Sequence, residues 1–236
     1  MSWNIDAAKI SIIIPVLNEA ENIRQAIAST QPSTNIEVIV VDGGSQDDTY
    51  KMADNLNVTI ISSIPGRAVQ MNKGAMFAKG DILLFLHADT RLPSGFDVMI
   101  RTAIQQTGTV AGAFALRIDA EVASLRLVEW GVNMRSRFWQ MPYGDQGIFL
   151  TKETFNKIGK FPELPFMEDF EIMRRLKRIG RITIIPVPVI TSARRWLQKG
   201  ICKTTLINQI VIIAYLLGVP PQRIVCWYRH QKFRKI

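Results

Sequence analysis

The chain has 236 residues, 47% hydrophobic and 21% charged, which suits one large domain with a sizeable core and argues against disorder. Its two cysteines, Cys202 and Cys226, form no CxxC pair or His/Cys cluster, so a zinc module is unsupported and reduced thiols are expected. The net charge of +9 is uneven: residues 172–236 hold 14 Lys/Arg and no acid, which predicts either an anionic partner (a pyrophosphate, anionic lipid headgroups) or a solvated basic face, with nucleic acid ranked last for want of a motif.

The N-terminal MSWNIDAAK has no basic stretch followed by an apolar one, so no signal peptide is read and a cytoplasmic protein is expected. Ile10–Pro15 is a β-branched apolar run, read as a buried strand. Asn18–Thr30 follows as a helix, with Asn18 and Glu21 as a cap pair. Glu37–Val41 is a second buried strand ending at Asp42. Gly43 and Gly44 break it, and a helix is read over Ser45–Asn55, capped by Ser45 or Asp47. Val58–Ser62 is a third strand, Val69–Lys79 has helical spacing, and Asp81–Leu86 is a fourth strand ending at His87. Such alternation of apolar strands and helices predicts an α/β fold with a mostly parallel central sheet flanked by helices.

The second half is less regular. Val110–Arg117 reads as a strand, Val122–Arg137 as a helix, Met141–Leu150 as a loop entering a strand, and Phe166–Arg178 as a helix starting near Glu168. Ile182–Val189, interrupted by Pro186 and Pro188, is expected at a sheet edge. Thr204–Gly218 is a strongly apolar helix containing Asn208 and Gln209. Its wholly apolar part, Ile210–Leu217, is too short to span a membrane, so a packed or interfacial helix is expected. The division expected is a core domain over 1–190 and a basic helical extension over 191–236 packed on it.

Sheets of this kind bind ligands at the carboxyl ends of their strands, and the polar clusters fall there: Asn18–Glu19, Asp42, and His87–Asp89. No GxGxxG, GxxxxGK[ST] or GxSxG is present, which counts against a dinucleotide-binding enzyme, a P-loop NTPase and an α/β-hydrolase. Asp42 suits a nucleobase or ribose contact, or a turn that caps the next helix. Asp89 suits a divalent cation facing a diphosphate, or a turn before Arg91-Leu92-Pro93. Glu168 and Asp169 suit a general base with a supporting carboxylate, or a helix-dipole interaction. His230 reads as a solvated residue of the basic tail.

Four segments, in order, resemble family-2 glycosyltransferases of the GT-A fold. SIIIPVLNEAENI resembles the family's opening strand and turn. VIVVDGGSQDDT resembles its second strand, with Gly43 in place of the usual second Asp. GRAVQMNKGAMFAKGDILLFLHADT resembles the stretch that leads to the DxD motif, with His87 at the first Asp position. FMEDFEIMRRLKRIG resembles the acceptor-side Glu-Asp motif. The likeness covers about residues 9–185, and the His-Ala-Asp-Thr run is similar to a subgroup of small bacterial members.

That resemblance implies an inverting transfer of a sugar from a UDP- or GDP-linked donor to an acceptor hydroxyl, with Mn²⁺ or Mg²⁺. It assigns Pro15, Asn18, Glu19, Asp42 and Gly43 to the nucleotide pocket, with Arg67 and Asn72 at the nucleotide or its phosphates. Asp89, with His87 as a second ligand or a sugar contact, would hold the metal. Asp169 would be the catalytic base and Glu168 its support. Gly144, Asp145, Gln146 and Gly147 lie where the family has an acceptor loop. Ser192-Ala-Arg-Arg-Trp196 partly resembles the Gln-x-x-Arg-Trp motif of processive members, which places Arg194 and Arg195 on the diphosphate and Trp196 at the acceptor. Two rival readings are a nucleotidyltransferase, which should show a glycine-rich basic stretch after the first strand, and a non-catalytic protein that binds nucleotide-sugar or a membrane surface. Leu206–Gly218 followed by Arg223, Arg229, Lys232, Arg234 and Lys235 suits peripheral seating on an anionic leaflet.

Overall fold

The computed structural model describes residues 7–56 and 58–233. Residues Arg234 and Lys235, and the side chains of Arg229, His230 and Lys232, lie outside what is described. Eight strands form one sheet: β1 (Ile10–Val16), β2 (Ile36–Asp42), β3 (Thr59–Ser62), β4 (Ile82–Phe85), β5 (Thr90–Arg91), β6 (Thr109–Asp119), β7 (Ile148–Thr151) and β8 (Arg181–Ser192). Their order across the sheet is β3-β2-β1-β4-β7-β6-β8-β5. The first four are parallel, as the apolar runs predict. The chain goes to one side of β1 for β2 and β3 and to the other for β4, so a crevice opens at the carboxyl end of β1.

Alternate residues of these strands enter two core layers. Ile10, Ile12, Ile14, Val38, Val40, Ile82 and Leu84 pack on one face with α1 (Ile23–Ala28) and α4 (Phe96–Gln105). Ile13, Ile39, Val41, Leu83 and Phe85 pack on the other with α3 (Arg67–Phe77), α6 (Lys152–Lys157) and α7 (Glu168–Lys177). Burial on both faces is why the strands read as unbroken apolar runs. α2 (Thr49–Asp54), α5 (Ala123–Trp139), α8 (Arg194–Lys199), α9 (Ile201–Leu216) and α10 (Pro221–Phe233) complete the chain.

Several sequence expectations need correction. The first helix begins at Ile23, and Asn18 lies before it in the left-handed region at φ 56°, so the Asn18/Glu21 cap does not form. The Asn18 carboxamide oxygen accepts from Gln46 N–H instead, at 2.8 Å. The second helix is capped at Asp48, without a side-chain bond. β7 runs antiparallel to β4 and β6, and β5 antiparallel to β8. β8 is not a plain edge: it pairs along its length with β6, and its last residues pair with β5. The register shifts between Ile185 and Pro188, so Pro186 and Val187 stand outside the ladder while Pro188 pairs with Ala115.

Candidate active site

β1, β2 and β4 end at one rim. The loops after β1 and β2 are laced together: Asn18 N–H donates to Ser45 Oγ at 2.9 Å and Glu19 N–H to Thr49 Oγ1 at 2.8 Å. The Gln70 carboxamide, buried on α3, donates to the carbonyls of Val16 and Val41 at 2.8 and 2.7 Å, which satisfies the ends of both strands. Asp42 is buried and turns back on its own loop. It accepts from Gly44 N–H, Ser45 N–H and the Ser45 hydroxyl, so it builds the turn weighed for it but does not cap the next helix, which starts from Asp48.

Because β7 runs antiparallel, its N-terminal end lies beside the C-terminal end of β4, with Ile148 opposite Phe85. That pairing brings the 3-10 turn Gly144–Gln146 to the rim where the parallel strands finish. The closeness is extreme at Gly144: a Cβ there would lie 2.7 Å from His87 Nε2 and 3.5 Å from Asp169 Oδ2. The Gly144 N–H donates to Asp169 Oδ2 at 3.0 Å, and Phe170 N–H donates to Asp169 Oδ1 at 2.8 Å.

The result is a cavity of about 300 Å³ whose lining includes Arg67, His87, Asp89, Asp145, Glu168 and Asp169 on the sheet side, and Arg194, Arg195 and Trp196 from α8. Its roof is α9, which contributes Asn208, Val211 and Ile212. Glu168 is buried and ion-paired to Arg67 at 3.1 Å. Burial raises the Glu168 pKa, and Arg67 opposes the rise. Asp89 is also raised, by burial and then by Glu19, against Arg194. Burial pushes the Asp145 carboxyl up to about 6, with Asp169 and Asp89 adding to the effect and Arg135 opposing it. His87 is lowered to about 3 by burial and the nearby Arg67 and Arg195, so its ring is neutral at pH 7. Two buried polar atoms in this cavity have no hydrogen-bond partner, His87 Nε2 and Asp145 Oδ1, and Trp196 Nε1 makes a third. Orphaned polar atoms converging on one cavity call for a ligand or solvent.

Other expected residues stand elsewhere. Pro15, Asn18, Asp42 and Gly43 belong to the rim outside this cavity, and Glu19 reaches it only through Arg194. Asn72 pins the backbone of Phe161, accepting from its N–H and donating to its carbonyl at 3.0 and 2.9 Å. Gln146 is wholly buried, with its amide spent on Ser136, Tyr143 and Phe114. Gly147 packs on Phe114 behind the site. Tyr143, Phe166 and Thr191 also line the cavity, and nothing in the sequence singles them out. Tyr143 is held by the Arg135 guanidinium, 3.4 Å over its ring centroid. Asn208, by contrast, is visible as a polar break in the apolar run.

The sequence matches the family described as Glycosyl transferase family 2 over residues 11–161. The chain belongs to that family. Among curated relatives, it is 41% identical to glycosyltransferase AglE of Haloferax volcanii over 91 residues, 34% of this chain and 30% of AglE. Among solved structures, it resembles S. aureus TarS 1–349 in complex with UDP (TM-score 0.62, 19% identity, 78% of this chain and 60% of that one). It also resembles the mannosyltransferase PcManGT of Pyrobaculum calidifontis in complex with GDP-Man and Mn²⁺ (TM-score 0.61, 20% identity, 78% and 56%). In all three the chain spans less than two thirds of the relative's own length. The fold is the GT-A glycosyltransferase fold.

Proposed function

We propose that this family-2 member is an inverting glycosyltransferase that moves a sugar from a nucleotide-diphosphate donor to an acceptor hydroxyl. The observation that carries the reading is the convergence of Asp89, His87, Asp169 and three arginines on one cavity at the strand ends. That TarS binds UDP and PcManGT binds GDP-Man with Mn²⁺ supports a uridine or guanosine donor.

The nucleoside would rest against the rim built by Pro15, Asn18, Asp42 and Gly43, whose hydrogen bonds are already satisfied within the turn. Arg67, Arg194 and Arg195 supply guanidinium groups suited to phosphate oxygens. Glu168 holds Arg67 in place through its ion pair. Asp169, held by two backbone N–H donors, would take the acceptor proton, and its oxygens keep lone pairs that suit that role. A single displacement needs no covalent nucleophile.

Among the described residues no three His, Cys, Asp or Glu gather as a ready-made metal centre. A divalent cation nonetheless fits His87 and Asp89, because the neutral ring presents a buried, unpaired Nε2 to the same cavity as the Asp89 carboxylate. Its remaining ligands would come from the diphosphate and water, and it would neutralise charge on the leaving group. The C-terminal extension would close the cavity through α8 and α9, and it starts two residues later than expected because Thr191 and Ser192 still pair within the sheet.

Calorimetric titration of UDP, GDP and their sugar conjugates, with and without Mn²⁺, tests this reading on the wild type and on Asp89→Ala. Metal-dependent binding of one nucleotide, lost in the variant, is expected. A folded protein that binds none of them overturns the proposal and favours a binding or scaffold role.

A further inference from the structure

The roof helix α9 and its neighbour α5 turn apolar faces outward. On α5 the exposed side chains Leu127, Trp130, Met134 and Phe138 recur at helical spacing, and Trp130 and Phe138 are 62% and 65% exposed. On α9 the exposed stripe is Leu206, Ile210, Ile213 and Leu216, again on one face. The opposite side of α9 buries Thr204 and Val211 and roofs the cavity. α9 is therefore apolar on both sides while the fold covers only one of them. The two helices are in contact. Exposed apolar stripes on two neighbouring helices mark an interaction site.

Charge identifies the occupant. No acid lies among the exposed residues of either helix. Arg137 and Lys203 sit on the exposed sides of α5 and α9 themselves. Lys177 reaches α5 from α7, its Nζ donating to the Trp139 carbonyl at 2.7 Å. Arg223 is exposed on α10. Two copies packed through this face by a two-fold axis would set those cations against one another. A surface of anionic headgroups over acyl chains satisfies both features at once: Trp and Phe enter the interface, and the cations meet phosphate. No described helix is long and apolar enough to cross a membrane, so the mode is seating on a leaflet.

We infer that the α5–α9 face docks onto an anionic bilayer surface, with the cavity one helix diameter, about 10 Å, beneath it. This goes beyond the nucleotide-sugar reading and stands without it, since none of the docking residues touches the donor cavity.

The test is co-sedimentation of the full chain with vesicles of phosphatidylcholine alone and of phosphatidylcholine with phosphatidylglycerol, at low salt. The double variants Trp130→Ser/Phe138→Ser and Leu206→Ser/Ile213→Ser are run beside the wild type, with circular dichroism to confirm folding and sedimentation velocity to give the oligomeric state. Wild type is expected to bind the anionic vesicles, and each double variant to bind about tenfold or more weakly. Absence of wild-type binding overturns the inference, as does undiminished binding by folded variants, which would leave attraction by charge alone. A wild-type dimer that both variants convert to monomer also overturns it and assigns the face to a second copy.

Discussion

Arg194 donates from one guanidinium nitrogen to both carboxylate oxygens of Glu19, at 2.8 and 2.9 Å. The pair ties the start of α8 to the loop after β1, across 175 residues of chain. Arg194 is thus engaged before any phosphate arrives, and a diphosphate competes with Glu19 for it. Arg194→Ala is expected to weaken nucleoside-diphosphate binding about tenfold, the usual worth of a charge-assisted hydrogen bond. Glu19→Gln, which keeps the shape and releases the arginine, should tighten it. Titration calorimetry on both variants reads the two opposite signs.

His87 and Asp145 pull acid stability in opposite directions. His87 has a folded pKa of about 3 against 6.5, so the stability it contributes is full above its unfolded value and is lost as pH falls toward 3. Asp145 has a folded pKa of about 6 against 3.8, so its contribution is full at low pH and is lost as pH rises through 6. Asp145→Asn should therefore steepen the loss of stability on acidification and raise stability at pH 7 by roughly 1–2 kcal/mol. His87→Gln should flatten the acid limb. Urea unfolding of both variants between about pH 4 and 7 gives the slopes, and parallel curves for wild type and variants would contradict the assignment.

Gly144 and Gly112 are both too close to a neighbour to carry a side chain, but the neighbours differ. A Cβ at Gly144 meets the end of His87, whereas one at Gly112 meets the Phe149 ring at 2.3 Å and the Thr183 carbonyl at 2.7 Å. Gly144→Ala is expected to cost sugar transfer while leaving the melting temperature within a few degrees. Gly112→Ala should destabilise the fold by about 2–3 kcal/mol, because the ring and a backbone strand must give way. A transfer assay beside thermal unfolding separates the two.

Gln70 is the fourth case. Replacing it with Leu removes the donor shared by the Val16 and Val41 carbonyls in a buried setting. A loss of about 1–3 kcal/mol in urea unfolding is expected, since the Val41 carbonyl loses this buried donor while the Val16 carbonyl keeps the Gly43 N–H at 2.9 Å.

In the first half β1, β2 and β4 were legible because they are buried on both faces, which makes Ile10–Pro15 and Glu37–Val41 mostly apolar, with Ser11 and Glu37 as the polar exceptions. β7 was read as a strand that follows a loop, but nothing local tells which neighbours Ile148–Thr151 joins or in which direction. The pairs that build the site share this opacity. Asp169 was found by its motif, but that Gly144 supplies its N–H depends on β7 running backwards beside β4. Asn72 and Gln146 matched motif positions and proved to be internal braces, because a carboxamide suits a backbone clamp as well as a ligand contact. The turn reading of Asp42 followed from Gly43-Gly44 alone.

A helix that is apolar all round has no preferred rotation: burial rewards every angle alike. α9 is such a helix, and its angular setting falls to a few polar handles. Asn208 accepts from Arg195 at 2.9 Å, and the Tyr215 hydroxyl donates to Glu171 at 3.3 Å, about two turns apart along the side that meets the domain. These two bonds act as indexing pins. Cutting both would leave α9 attached yet free to roll, and the roof of the cavity would blur without any part of the fold being lost.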